Sequence, residues 1–304
     1  MQGLTFKQKV FRQRELIFMA LPIMVYVFIF SYLPLRGWVM SFQNFRPGHA
    51  TQEWVGLRHF RFLFSYDAFW QIIVNTLGMS FISIVLGFIT AIALALLINE
   101  IRRSMFKRFV QTVSYLPHFL SWVIAASLIG DFLSGGGILN QFLMWLGVTD
   151  QPIIFLANSS RWSFWNIIGW SNVWKSVGWN TIIYLAAITS IDPALYESAD
   201  LDGAGRFSKM RHVTLPGIKS TILVLIIMNV GWVLNAGFEL QFILMNDLTR
   251  PVAETLDIFV LRYGIQMRNF SIGTAAGMFR TVVSITLITI ANQASKRIAK
   301  ESLI

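Results

Sequence analysis

Residues 69–99 read FWQIIVNTLGMSFISIVLGFITAIALALLIN, with no Asp, Glu, Lys, Arg or Pro in the run. A helix rises about 1.5 Å per residue, so roughly 20 residues cross the approximately 30 Å of hydrocarbon in a bilayer, and this stretch exceeds that length. It predicts a membrane-spanning helix, and the composition agrees. Of 304 residues, 55% are hydrophobic and only 13% charged, and the mean hydropathy is +0.59. Phe (26), Trp (11) and Met (12) are abundant against 15 Asp plus Glu, which excludes a disordered, solvated chain.

Five more apolar stretches, near 15–41, 109–133, 163–190, 219–246 and 273–295, raise the expected total to six. The fold class expected is therefore all-α: an integral membrane protein with six transmembrane helices. It divides into an N-terminal tail (1–14), a first helix with its external loop (15–68), a transmembrane domain (69–295) and a C-terminal tail (296–304). Lys7, Lys9, Arg12 and Arg14 imitate the basic start of a signal peptide. The apolar run behind them is too long for one and lacks a small-x-small cleavage site, so this helix is expected to be retained. Pro22, Pro34 and Pro117 are expected to kink their helices.

An even number of spans puts both termini on one side, and 15 of the 25 Lys and Arg fall there, in the tails and around residues 102–108 and 206–219. That bias predicts a cytoplasmic side for them. The net charge of +10 is accounted for by orientation and anionic head groups, so nucleic acid is not expected as a partner. Zero Cys removes disulfides and thiolate chemistry, and His49, His59, His118 and His212 have no ligand spacing, so no metal site is expected. Outside lie loops near 42–68, 134–162 and 247–272. The middle one carries Gly135-Gly136-Gly137 and then Ile138 to Leu146, a short helix suited to the membrane surface. Trp54, Trp70, Trp145, Trp162 and Trp165 fall near that boundary, where an aromatic belt explains most of them.

The cytoplasmic loop 191–218 is too long to be a mere connector. Asp192-Pro193 is a helix start, a capping side chain followed by Pro at the first helical position, and Gly203 to Gly205 is a stop. Between them Ala194, Leu195, Ala199 and Leu201 mix with Glu197, Asp200 and Asp202, giving a short helix that can dock one face into a partner. The stretch resembles the E-A-A-x3-G-x9-I-x-L-P signature of permease subunits in binding-protein-dependent ABC importers. Glu197, Ala199, Gly203, Leu215 and Pro216 sit at matching positions, with Ser198 in place of the first Ala and Val213 in place of Ile. The likeness extends over about residues 70–295, and the extra first span resembles the carbohydrate-uptake branch, above all permeases for oligosaccharides or polysaccharide fragments.

That resemblance implies a transport subunit and not an enzyme, placed in the inner membrane of a prokaryote. It implies a coupling helix, with Glu197, Ser198, Ala199, Asp200, Gly203, Leu215 and Pro216 forming the contact to a cytoplasmic ATPase. The implied partners are a second permease, two ATPase copies and an external substrate-binding protein. ATP and Mg then belong to the ATPase. Gly203-Ala-Gly205-Arg-Phe-Ser-Lys209 lacks the G-x4-G-K-[ST] spacing of a phosphate loop, so no cofactor is expected in this chain.

Polar residues inside spans are costly and therefore informative. In the fourth stretch Asn172, Trp174, Lys175 and Trp179 interleave flat rings with hydrogen-bonding groups, the chemistry a sugar needs. Asn229, Trp232, Asn235 and Glu239 repeat it in the fifth, with Asn229, Trp232 and Asn235 expected on one face. Lys175 suits an acidic sugar; equally, it snorkels or pairs with Glu239 to hold the bundle together. Each Asn taken singly also suits an interhelical hydrogen bond, and Gly273-x3-Gly277 suits close packing. The competing classes are an ion-driven secondary transporter, which would show inverted repeats around midplane carboxylates, and a membrane enzyme. Sidedness is testable on the Cys-free background: an impermeant thiol reagent applied to intact cells labels Ser65→Cys and leaves Ser208→Cys unlabelled, and the reverse pattern inverts the topology.

Overall fold

The computed structural model describes residues 12–157 and 160–299. The chain is a helical bundle with one two-residue hairpin. Helix α1 (Arg14–Val27) continues through a wider π turn (Phe28–Tyr32) into a tighter 3₁₀ segment (Leu33–Phe42) with Pro34 in its first turn. β1 (Gln43–Asn44) pairs antiparallel with β2 (Glu53–Trp54). There follow α2 (Arg58–Ser65), α3 (Asp67–Glu100), α4 (Ser104–Tyr115), α5 (Trp122–Leu133), α6 (Ile138–Trp145), α7 (Arg161–Thr189), α8 (Pro193–Leu201), α9 (Lys219–Gly231), α10 (Glu239–Leu244) and α11 (Phe270–Ala299).

Among the described residues four helices are long and apolar enough to cross a membrane, and the bent pair Arg206–Gly217 and Lys219–Gly231, meeting at 58°, makes a fifth. α7 has the length, at 29 residues, but Asn166, Ser171, Asn172, Lys175 and Asn180 dilute its apolar character. Three expected boundaries change. The stretch 109–133 is two helices, α4 and α5, separated by a 3₁₀ turn at Leu116–Phe119, because Pro117 cannot continue a hydrogen-bonded helix and Ser121 starts a new one by accepting from Ile124 N at 3.2 Å. The stretch 219–246 is also interrupted: α9 ends at Gly231, and the chain runs irregularly past Gly237, whose φ is +92°, before α10. The buried Gln241 amide donates to the Ala236 carbonyl and so holds that break.

The third change concerns 247–272, which is no surface loop. It forms short helical turns wedged between α3 and α11. Asn75 Nδ2 donates to Pro251 O at 2.9 Å, and Leu256 N donates to Thr76 Oγ1 at 3.0 Å. Arg262 pairs with Glu254 at 2.8 Å, and Arg280 of α11 pairs with Asp257. Leu256, Phe259, Phe69, Ile72 and Ile272 make the core at this end. Trp165, expected in the aromatic belt, instead donates from Nε1 to Val252 O at 3.0 Å, whereas Trp54, Trp70, Trp145 and Trp162 are exposed.

Helices α3 and α7 run along one another as the spine of the bundle. Glycines set their distance: a Cβ on Gly169 would stand 2.6 Å from Ile82 Cγ2. At the far end Ala91, Ala95, Tyr184, Ile188 and Ile218 form a separate core under α8. α1 buries no residue and leaves its large apolar side chains open, as a lipid-facing helix requires. Of the expected Gly273 and Gly277 pair, Gly273 makes a close contact, since a Cβ there would lie 2.7 Å from Gly264 Cα, while Gly277 has nothing within 4 Å. Gly273→Ala should therefore destabilise the chain by about 1–3 kcal/mol, read as a lower unfolding midpoint in detergent. Gly277→Ala should leave that midpoint unchanged.

Candidate functional site

Between α3, α7, α9 and the irregular chain before α10 lies a cavity of about 320 Å³. Periodicity explains its α7 wall, because Asn172, Ser176 and Asn180 recur every fourth residue and so share one face. α3 contributes Ser80 and Ser83, and Asn172 Nδ2 reaches Ser83 Oγ at 3.3 Å. Asn229, Trp232, Asn235 and Glu239 complete the opposite wall. Thus five of the eight pathway residues read from the sequence, namely Asn172, Asn229, Trp232, Asn235 and Glu239, meet in one space. They do not share one helical face, since the helix ends at Gly231. The cavity also draws on Ser80, Trp122, Ser176 and Gln241. The sequence reading passed over Ser80 and Ser176, two ordinary serines in apolar helices, and the only available sign was their recurrence at helical spacing with other polar residues.

The other three residues lie elsewhere. Trp174 and Trp179 are exposed on the outside of α7, and Trp179 stacks on His118 at 4.5 Å between ring centres. Lys175 is 5% exposed. Its Nζ donates to His118 O at 2.9 Å, in the break between α4 and α5, and stands 4.9 Å from the centre of the Trp122 ring. The ammonium thus supplies a donor to a carbonyl that the Pro117 break leaves without a helical partner. No ion pair joins Lys175 to Glu239, which corrects that expectation; the two face different neighbours.

The second feature is α8. Asp192 accepts from Ala194 N at 2.9 Å, and Pro193 occupies the first turn. At the other end Ala204 N reaches Ala199 O at 2.9 Å, and Gly203 N reaches Asp200 O at 3.1 Å. This is a Schellman stop, with Gly203 at φ +73° as the residue that must adopt the left-handed conformation. No residue of α8 is buried; Glu197 is exposed, and Leu201 is 90% exposed. Tyr196 Oη lies 2.9 Å from Thr214 Oγ1, Lys209 pairs with Asp200 at 2.6 Å, and Arg206 reaches Glu100 at 3.8 Å. The short helix is therefore tied to the chain leading into α9, and that chain is tied by Arg206 to the end of α3. Leu215 and Pro216 stand at the 58° bend before α9. Among the described residues, no group of three or more His, Asp or Glu converges as a metal ion would require.

Residues 83–300 match the family model described as the binding-protein-dependent transport system inner membrane component. The chain belongs to this family. The family consists of transport components and not enzymes, and the matched range contains α8, the bend and most of the cavity wall. The polygalacturonan/rhamnogalacturonan transport system permease protein YteP of Bacillus subtilis (strain 168) is 42% identical over 97% of this chain and 92% of its own length. Two solved structures are similar over nearly the whole chain. A bacterial ABC transporter that imports the acidic polysaccharide alginate has a TM-score of 0.87 at 40% identity, covering 95% of this chain and 98% of its own. The bacterial alginate ABC transporter in complex with an alginate pentasaccharide-bound periplasmic protein has a TM-score of 0.89 at 39% identity, covering 98% and 99%. The ion-driven alternative finds no support in these matches.

The geometry around Lys175 gives a clear expectation for this permease. Lys175→Met leaves the half-buried His118 carbonyl unpaired, at a cost of about 1–3 kcal/mol, so yield and thermal midpoint should fall. Adding Glu239→Gln should not restore them; recovery in the double variant would reinstate the ion pair.

Proposed function

We propose that the chain is one of two permease subunits of an ATP-driven importer, passing an oligosaccharide from an external binding protein to the cytoplasm. One relative is named for the transport of polygalacturonan and rhamnogalacturonan and another for import of the acidic polysaccharide alginate, which supports a carbohydrate fragment as cargo. The crystallised relative holds a sugar-loaded periplasmic protein, which supports a delivery partner of that kind. In this reading the chain crosses the membrane six times, with α7 as the polar fourth span and one wall of the path, and α10 completing the span begun by α9. Both termini and α8 face the cytoplasm, as the positive-inside bias favours.

The observation that carries the proposal is the exposed, doubly capped α8 and its attachment to the bend at Ile218. A helix whose two ends are fixed by Asp192 and Gly203 moves as a rigid piece. Leu195, Leu201 and Phe207 are exposed beside Glu197, so an ATPase groove can take up the apolar side chains while a Lys or Arg pairs with the carboxylate. Displacement of α8 then travels through Tyr196 and Thr214 to the bend and on to α9, whose Leu225 and Asn229 border the cavity. Two ATPase copies, holding ATP and Mg, supply the stroke.

Co-purification tests this. Glu197→Lys places a like charge against the ATPase's basic group, and Gly203→Trp forces a side chain into the left-handed position. Each should weaken ATPase association at least tenfold, about 1.4 kcal/mol, while membrane insertion stays intact. Normal association and normal uptake in both variants would overturn the coupling role of α8.

A further inference from the structure

The cavity's charge defines what it can hold. Among its lining residues Glu239 is the one charged side chain, and no Lys or Arg joins it. Arg280 is paired with Asp257. Lys175, the cation in the middle of α7, donates to the His118 carbonyl.

A carboxylate at the edge of a cavity whose other polar groups are neutral calls for a ligand that donates hydrogen bonds. Sugar hydroxyls donate to the Glu239 carboxylate. A uronate's carboxylate cannot, and it brings a second negative charge toward Glu239. The remaining polar groups, Asn180, Asn229 and Asn235, are neutral, and Trp232 offers a flat face for ring C–H groups.

Taking the cavity as part of the sugar path, as proposed above, we infer that it accepts an uncharged, hydroxyl-rich sugar unit and discriminates against uronates, with Glu239 as the specificity-determining acceptor. The cargo of this importer then differs in charge from the galacturonans and the alginate named for the two relatives described above.

The assembled importer, with its second permease and ATPases in lipid nanodiscs and without the binding protein, is titrated with trigalacturonate and with its carboxyl-reduced counterpart. The two share every linkage and differ only at C6, and tryptophan emission reports occupancy. The reduced trisaccharide should bind at least about tenfold more tightly, the order expected for one close like-charge contact at partial burial. Glu239 is exposed, so replacing it does not threaten folding; Glu239→Gln should bring the two affinities within about threefold, and Glu239→Lys should reverse their order. Equal or tighter binding of trigalacturonate to the unmodified importer, or a gap that survives Glu239→Gln, overturns the charge rule. Response to neither sugar, nor to a neutral glucose trisaccharide, overturns the cavity as the sugar path itself.

Discussion

Hydrocarbon offers no hydrogen bonds, so every peptide group that leaves a helix inside the membrane must find a partner in the protein. This constraint governs where the bundle is polar. The α4 and α5 break at Pro117 frees the His118 carbonyl, and Lys175 meets it. The α9 and α10 break frees the Ala236 carbonyl, and Gln241 meets it. The wedge after α10 is held by Asn75 and Thr76 of α3. Asn140 does the same service outside the bundle, donating to Ser134 O at 2.8 Å and Ile153 O at 2.9 Å. Residues that look like solute-binding groups in a linear reading are in part repairs to broken backbone.

The same breaks create function. A continuous fifth helix would carry Asn229, Trp232 and Asn235 along one rod; ending it at Gly231 lets the chain fold back and close a cavity against α7. The bend at Ile218 likewise sets the chain that follows α8 at an angle to α9. The ion pair of Arg262 with Glu254 fixes the wedge on the far side, where removing Arg262 would leave the buried carboxylate without its partner.

Division of labour among the polar residues follows from their surroundings. Lys175 and Glu239 are the charges that the fourth and fifth stretches suggest as partners, yet one is buried among Trp122 and His118 and the other is exposed at the cavity's edge. Their separation gives the cavity a negative character that neither residue alone conveys. Neutral amides and hydroxyls on the other walls keep that carboxylate dominant.

The sequence by itself determined the elements whose signals are local. Uncharged length marked α3, Asp192-Pro193 and Gly203 bounded α8 to within a residue, and Gly135 to Gly137 announced α6, because caps, turns and apolar length act through neighbours in the chain. The family followed from the spacing of Glu197, Ala199, Gly203, Leu215 and Pro216, and five of the residues now around the cavity were visible as polar intrusions in apolar stretches. Only the tertiary structure decided what those intrusions face. A helix records its own periodicity and nothing of its rotation against neighbours, so Asn172 and Lys175, three residues apart, looked equivalent and ended on different faces. The wedge 250–266 was invisible for a related reason: its burial depends on Asn75, Thr76 and Arg280, partners far away in sequence that no local pattern in the wedge reveals.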